Sequence, residues 1–206
     1  MKVGDLNFLC NFIIRHLILS VHSLKKTNYF DFMSALKSDI RQMPEFFDRY
    51  ILPVPWDNVL IALEQSLEDF TSYDWEKVRL IGDQVYLPGK WTIKELLQHI
   101  NDNERIQSYR ALRFARKDAT PLPGYDEDLF VENSTANARS LEELIEEFVL
   151  LRKSAINLYR SFNEEVFQRT GICFNKELSV LALGFVLVGH QIHHMNIIRE
   201  RYFPLV

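Results

Sequence analysis

Cysteine is almost missing from this chain. Only Cys10 and Cys173 occur among 206 residues, and no ligand or redox spacing joins them. A disulfide-stapled scaffold, a cysteine-built zinc site and a dithiol redox motif are therefore excluded, and the usage suits a reducing, cytoplasmic setting. An excess of positive charge is missing too. Lys and Arg number 24 against 28 Asp and Glu, a net charge of -4. That balance offers no field to a phosphate backbone and argues against a direct nucleic-acid partner. No apolar run reaches the roughly 18 residues of a convincing membrane span, so a membrane partner is not expected. There is no phosphate-cradling glycine-rich loop, and no Cys-His or Ser-His arrangement suggests a covalent nucleophile. What the chain does have is 47% hydrophobic and 25% charged residues, the balance of a folded domain. Its length lets roughly two-thirds of the unfolded surface be buried.

Residues 1–32 read as an uncertain leader. Leu9, Phe12, Ile13, Leu17, Ile18 and Leu19 are apolar, but Arg15 and His16 interrupt them. The first reading is an amphipathic helix or a loosely packed tail; a signal or anchor is the lesser one, and Met33 is an alternative start. A single domain is expected over 33–206.

Within that domain the pattern is helical. Pro44, Pro53 and Pro55 break up residues 33–53 into an irregular lead-in. A first helix is expected from about Trp56 to Phe70, with Leu60, Leu63 and Leu67 on its apolar face. Thr92 and Glu95 form a capping box that opens a second helix running to about Arg116. Ser140 and Glu143 form another before a third helix that reaches Phe162. A fourth starts at Ser179 and ends near Phe203, and its first half, Val180–Val188, is apolar nearly all round, as befits a helix inside a bundle. The links 71–90 and 118–139 are long, with Tyr125, Leu129 and Phe130 placed to pin the second one. No strand signal is persuasive. The expectation is an all-α four-helix bundle with long crossover connections.

The chemistry concentrates in Gly189-His190-Gln191-Ile192-His193-His194. Histidines four apart share a helix face and can converge on one ion. His190 and His193 could also pair, but the stripe Leu183, Leu187, His190, His194, Ile197 continues the core face, so the four-apart pair is preferred. His99, bordering the apolar stripe of the second helix, is the obvious third candidate; His16 and His22 fall in the leader. Catalytic zinc commonly takes three protein ligands and keeps a position open. Against this stands the plainer reading of core or solvated histidines. Asp102, three residues after His99, is a candidate for orienting a ligand or moving a proton, with a solvated ion pair as the alternative; Glu104 points elsewhere on the wheel. Gln191 stands where a zinc peptidase needs a glutamate, which argues against that mechanism. Gly189 permits close approach by a neighbouring helix or ligand. Arg110, Arg113, Arg199 and Arg201 read first as solvated helix charges and second as a rim for an anionic group.

Three stretches resemble the DinB-like superfamily, which includes YfiT-type metal-dependent hydrolases. They are Gly89-Lys90-Trp91-Thr92 through His99, Glu104-Arg105 through Tyr109-Arg110 to Pro123-Gly124, and Gly189-His190 through His193-His194 to Arg199-Glu200-Arg201-Tyr202. The resemblance covers roughly Pro44 to Phe203. It implies a four-helix bundle whose His99, His190 and His194 hold zinc, nickel or a similar divalent ion, with His193 outside the ligand set. It also implies a small-molecule substrate, a possible low-molecular-weight thiol cosubstrate and a possible homodimer. The function expected is a metal-dependent hydrolase or thiol-dependent transferase; the alternative is a non-catalytic metal-binding protein of stress response or ligand sensing.

Overall fold

Hydrogen-bonding side chains mark where the helices begin. The computed structural model describes residues 35–206; the expectations placed on residues 1–32, including Cys10, His16 and His22, lie outside the described residues. The lead-in contains a 3-10 turn over Lys37–Asp39 and a short α-helix, α1 (Asp48–Ile51). Asn58 then caps α2 (Val59–Thr71) by accepting from the backbone N–H groups of Leu60 and Ile61 at 3.0 and 3.2 Å. The link expected over 71–90 holds a further helix, α3 (Trp75–Ile81), started by Asp74. Both capping boxes form as read. Thr92 and Glu95 open α4 (Ile93–Ala115), and the 118–139 connection contains α5 (Glu127–Glu132). Ser140 and Glu143 open α6 (Leu141–Arg160). Each such cap contributes about 1 kcal/mol.

After α7 (Glu164–Phe167) the structure departs from the sequence reading. An antiparallel hairpin of β1 (Thr170–Cys173) and β2 (Lys176–Ser179) precedes the last long helix, α8 (Val180–Ile197). Leu122 joins the hairpin beside Cys173, so the segment after α4 is tied down there: its N–H donates to Ile172 O, and its carbonyl accepts from Phe174 N. The hairpin escaped notice because its strands are four residues long and carry no alternating pattern.

The four long helices make a ring: α4 packs on α6 and α8, and α2 packs on the same two. Consecutive members α2 and α4 lie diagonally, as do α6 and α8, which is why the connections are long. Val180 through His190 is buried without a gap. The stretch Val180–Leu205 is long and apolar enough to cross a membrane by composition, and 78% of its most apolar window is buried in this fold. Gly189 is needed for packing rather than for flexibility. A Cβ there would sit 1.8 Å from the carbonyl oxygen of Tyr50, so α1 lies directly on the α8 backbone.

Two apolar clusters fill the ring. One gathers Leu63, Tyr159 and Phe185; the other gathers Phe70, Phe148, Met195 and Tyr202. Between them α8 turns polar at His190, Gln191 and His194, while α4 presents Asn101 and Glu104, all buried. The candidate site lies in this polar layer.

Candidate metal centre

His99 on α4 and His190 with His194 on α8 meet in that layer, each at most 9% exposed. The Nε2 of His190 lies 3.0 Å from Nε2 of His99 and 3.1 Å from Nε2 of His194. All three ligand atoms fall within 4.8 Å of one another. An imidazole Nε2 has a single in-plane position, either a proton or a lone pair. His190 therefore cannot donate to one neighbour and accept from the other with the same atom. Three lone pairs aimed at one cation remove the conflict. Metal–nitrogen bonds of about 2.0–2.1 Å set at 90–110° put neighbouring nitrogens about 2.8–3.4 Å apart, so the residues fit a divalent ion.

Burial also prepares the ligands. Desolvation lowers His99 to about 4, with the nearby His193 adding to it. Burial holds His190 and His194 well below the ordinary histidine range, and the mutual proximity of the rings pushes the same way. Neutral imidazoles are the form that binds metal. The Nδ1 of His194 is buried with no partner among the described residues, so no protein acceptor fixes its tautomer there, as one usually does for a ligand histidine.

His193 stays out of the triad: it is exposed, edge-on to Tyr50 at 5.6 Å and to His194 at 4.9 Å between ring centroids. Asp102 is not brought to the imidazoles. Its carboxylate accepts from Gln98 Nε2 at 2.9 Å and lies 3.6 Å from Arg105, with no hydrogen bond to a histidine. Glu104 is buried in the bundle against Arg152, at 2.7 Å. Of the four arginines, Arg113 is tied to Asp118 and Tyr109, while Arg199 and Arg201 are exposed. Arg110 departs from the expected solvated charge: it is buried and faces the site.

A cavity of about 280 Å³ opens onto the histidines. Trp91, 5.0 Å from the His99 ring, and Tyr50 stand against the imidazoles. A polar wall continues along α4 from His99: Tyr125 Oη and Gln107 Nε2 both donate to Asn103 Oδ1, at 3.3 and 3.1 Å, and Arg110 donates to Gln107 Oε1 at 3.2 Å. Burial, helped by Glu127, raises the Tyr125 hydroxyl far above its usual range, so it remains a donor. Phe46 and Phe174 complete the mouth with their rings 5.3 Å apart. Both hold positive φ, 76° and 51°, a conformation costly for a bulky side chain and concentrated at functional sites. Sequence reasoning missed Phe46, Phe174, Asn103 and Trp91. The one signal available was the 99, 103, 107, 110 spacing, which places those side chains on one face of α4. A larger cavity of about 540 Å³ lies along another face of α8, beside Gln191 and Arg199, and touches none of the three histidines.

The chain is similar to known proteins in sequence and in fold. A relative from Oceanobacillus iheyensis, named "Putative metal-dependent hydrolase", is 26% identical over 137 residues, which is 64% of this chain and 78% of that one. Among solved structures, YfiT from Bacillus subtilis, titled "a probable metal-dependent hydrolase with an unusual four-helix bundle topology", matches with a TM-score of 0.56. The identity is 18%, and the match covers 77% of this chain and 87% of YfiT, a likeness of fold. The family model of the DinB superfamily matches residues 58–198, a span that includes all three histidines, and the chain belongs to that superfamily.

Proposed function

We propose that the protein is a divalent-metal-dependent enzyme acting on a small molecule, with His99, His190 and His194 as the metal ligands. The observation that carries this reading is the convergence of three buried Nε2 atoms at the wall of a cavity. A closed structural site would need a fourth protein ligand, and none of the other His, Cys, Asp or Glu side chains described joins the group. Zinc or nickel suits three imidazoles. A divalent ion held there lowers the pKa of a water or thiol beside it and polarises an electrophile. The remaining work falls to the chain. Trp91 and the Phe46–Phe174 pair keep bulk water from the imidazoles, while the Asn103 amide N–H groups and the Tyr125 hydroxyl oxygen, whose proton goes to Asn103 Oδ1, offer a donor and an acceptor to orient a bound molecule. The names of the relatives support hydrolysis; transfer of a low-molecular-weight thiol is the second activity the same site would serve. Asp102 has no part in the proton path of this reading, because Gln98 and Arg105 engage its carboxylate.

The test is elemental analysis of the purified protein with His99→Ala, His190→Ala and His194→Ala, followed by hydrolysis and thiol-transfer screens of the metal-loaded protein. About one divalent ion per chain is expected, weakened strongly in each variant. A metal content unchanged by His190→Ala would overturn the ligand assignment. Absence of metal-dependent turnover across both screens would overturn the enzymatic reading.

A further inference from the structure

Among the described residues Arg110 has no counter-charge. It is 4% exposed, yet it forms no ion pair among the described residues. Its two hydrogen bonds go to neutral acceptors, Gln107 Oε1 at 3.2 Å and the carbonyl of Pro123 at 2.7 Å. The contrast with Arg152 is direct: that guanidinium is equally buried and has a glutamate across it. Burying a charge without its partner is costly, and a protein that tolerates it places the charge where something else will meet it.

Arg110 also lines the metal cavity, on the α4 face that carries His99, Asn103 and Gln107. About 16 Å of helix separates the two ends of that stripe, and the long arginine side chain shortens the gap by leaning back toward the helix start. Among the cavity-lining residues only Glu127 is acidic, and it is exposed; Arg49, also exposed, adds a second positive charge. With a divalent ion on the histidines, the cavity is strongly positive and has a planar hydrogen-bonding fork at one end. We infer that Arg110 recognises a carboxylate on the substrate, at the end of the molecule remote from the reacting group. This deepens the proposed function and rests on it. The fork geometry favours a planar anion, since the donors not given to Gln107 and Pro123 can bracket two carboxylate oxygens.

The experiment uses the zinc-loaded full-length protein and calorimetric titration with two series of hydroxamates. One series ends in a carboxylate across linkers of increasing methylene number; the other ends in the matching neutral amide. The hydroxamate head reports on the metal site and the far end reports on Arg110. At the best-fitting linker the carboxylate series is expected to bind at least tenfold tighter, and Arg110→Gln should bring the two series together. The amide series serves as a control for an intact site. Should Arg110→Gln lose affinity for it, Arg110→Lys, which keeps the charge but not the fork, is expected to retain only part of the preference. Equal binding of the two series by the wild type at every linker length overturns the inference and leaves the metal reading intact. Failure of both series to bind overturns the metal reading, and this inference with it.

Discussion

Glu104 grips Arg152 with both oxygens, accepting from Nε at 2.7 Å and from Nη2 at 3.0 Å, in a pair at most 2% exposed. The same guanidinium donates to Ser66 Oγ on α2 and to the carbonyl of Leu187 on α8. With Glu104 on α4 and Arg152 on α6, one buried charge touches all four long helices one turn before His190. It therefore holds α4 and α8, the two helices that supply the histidines, in register. Its positive charge also helps keep His190 unprotonated.

Glu104→Leu is expected to destabilise the protein by about 3–5 kcal/mol, because it strands a buried guanidinium rather than merely removing an ion pair. Glu104→Leu with Arg152→Met should recover a large part of that loss. Urea unfolding of the single and double variants measures both. A single variant within about 1 kcal/mol of wild type, where ordinary substitutions cluster, would show that the pair is not a stabilising joint.

Gly189→Ala pits helix propensity against packing. Alanine gains up to about 1 kcal/mol in a helix interior. Here its Cβ would lie 1.8 Å from Tyr50 O and 2.5 Å from Tyr50 C, backbone atoms that cannot swing aside. Overpacking of this kind costs about 1–3 kcal/mol, so a net loss is expected together with displacement of α1. Because α1 carries Arg49 and Tyr50 to the cavity wall, zinc affinity should fall as well. A variant that melts higher than wild type would contradict the packing argument.

What could be read in advance follows from the range over which each signal acts. The capping boxes at Thr92 and Ser140 are local, and the helices begin where those residues stand. The approach of His99, His190 and His194 to one another was legible, because the four-residue spacing and the apolar stripe locate two of them on one helix face and the third borders the apolar stripe of its own helix. The pairing of Glu104 with Arg152 was not, since it spans 48 residues and a charge on a helix reads as surface. Arg110 was misread for the same reason. Phe46 and Phe174 gave no warning, because aromatic residues do not announce a left-handed backbone; only Asn175, beside Phe174, belongs to the residue types expected in such a turn.

Acidification should weaken the metal-free protein well before the carboxylates titrate. Burial lowers His99 to about 4 and holds His190 and His194 well below 6.5. Above pH 6.5 these groups are neutral in both folded and unfolded chains, and they add no pH dependence. Below it the unfolded chain binds protons that the folded one refuses, so stability falls from pH 6.5 toward about 4. Each such histidine contributes up to about 1.4 kcal/mol per pH unit. The urea midpoint, measured with a chelator present, should hold above about pH 6.5 and drop between there and pH 5. It should drop less in His190→Asn. A midpoint flat over that range would mean that the rings are solvated.

Phe174 and Asn175 form the two-residue turn of the hairpin, with φ of 51° and 56°. That turn demands left-handed conformations, in which asparagine is comfortable and phenylalanine is not. Phe174→Gly should recover about 1 kcal/mol of backbone strain and give up a similar amount from the ring contact with Phe46. Thermal stability is therefore expected to change little. The mouth of the cavity, however, loses one of its two aromatic walls, so a chelator should strip metal from the loaded variant several-fold faster than from wild type. Stopped-flow mixing with a chromogenic chelator reads that rate, and differential scanning calorimetry reads the stability. A marked fall in melting temperature with an unchanged stripping rate would assign Phe174 to packing alone, whereas faster stripping at constant stability identifies the strained turn as the device that closes the site.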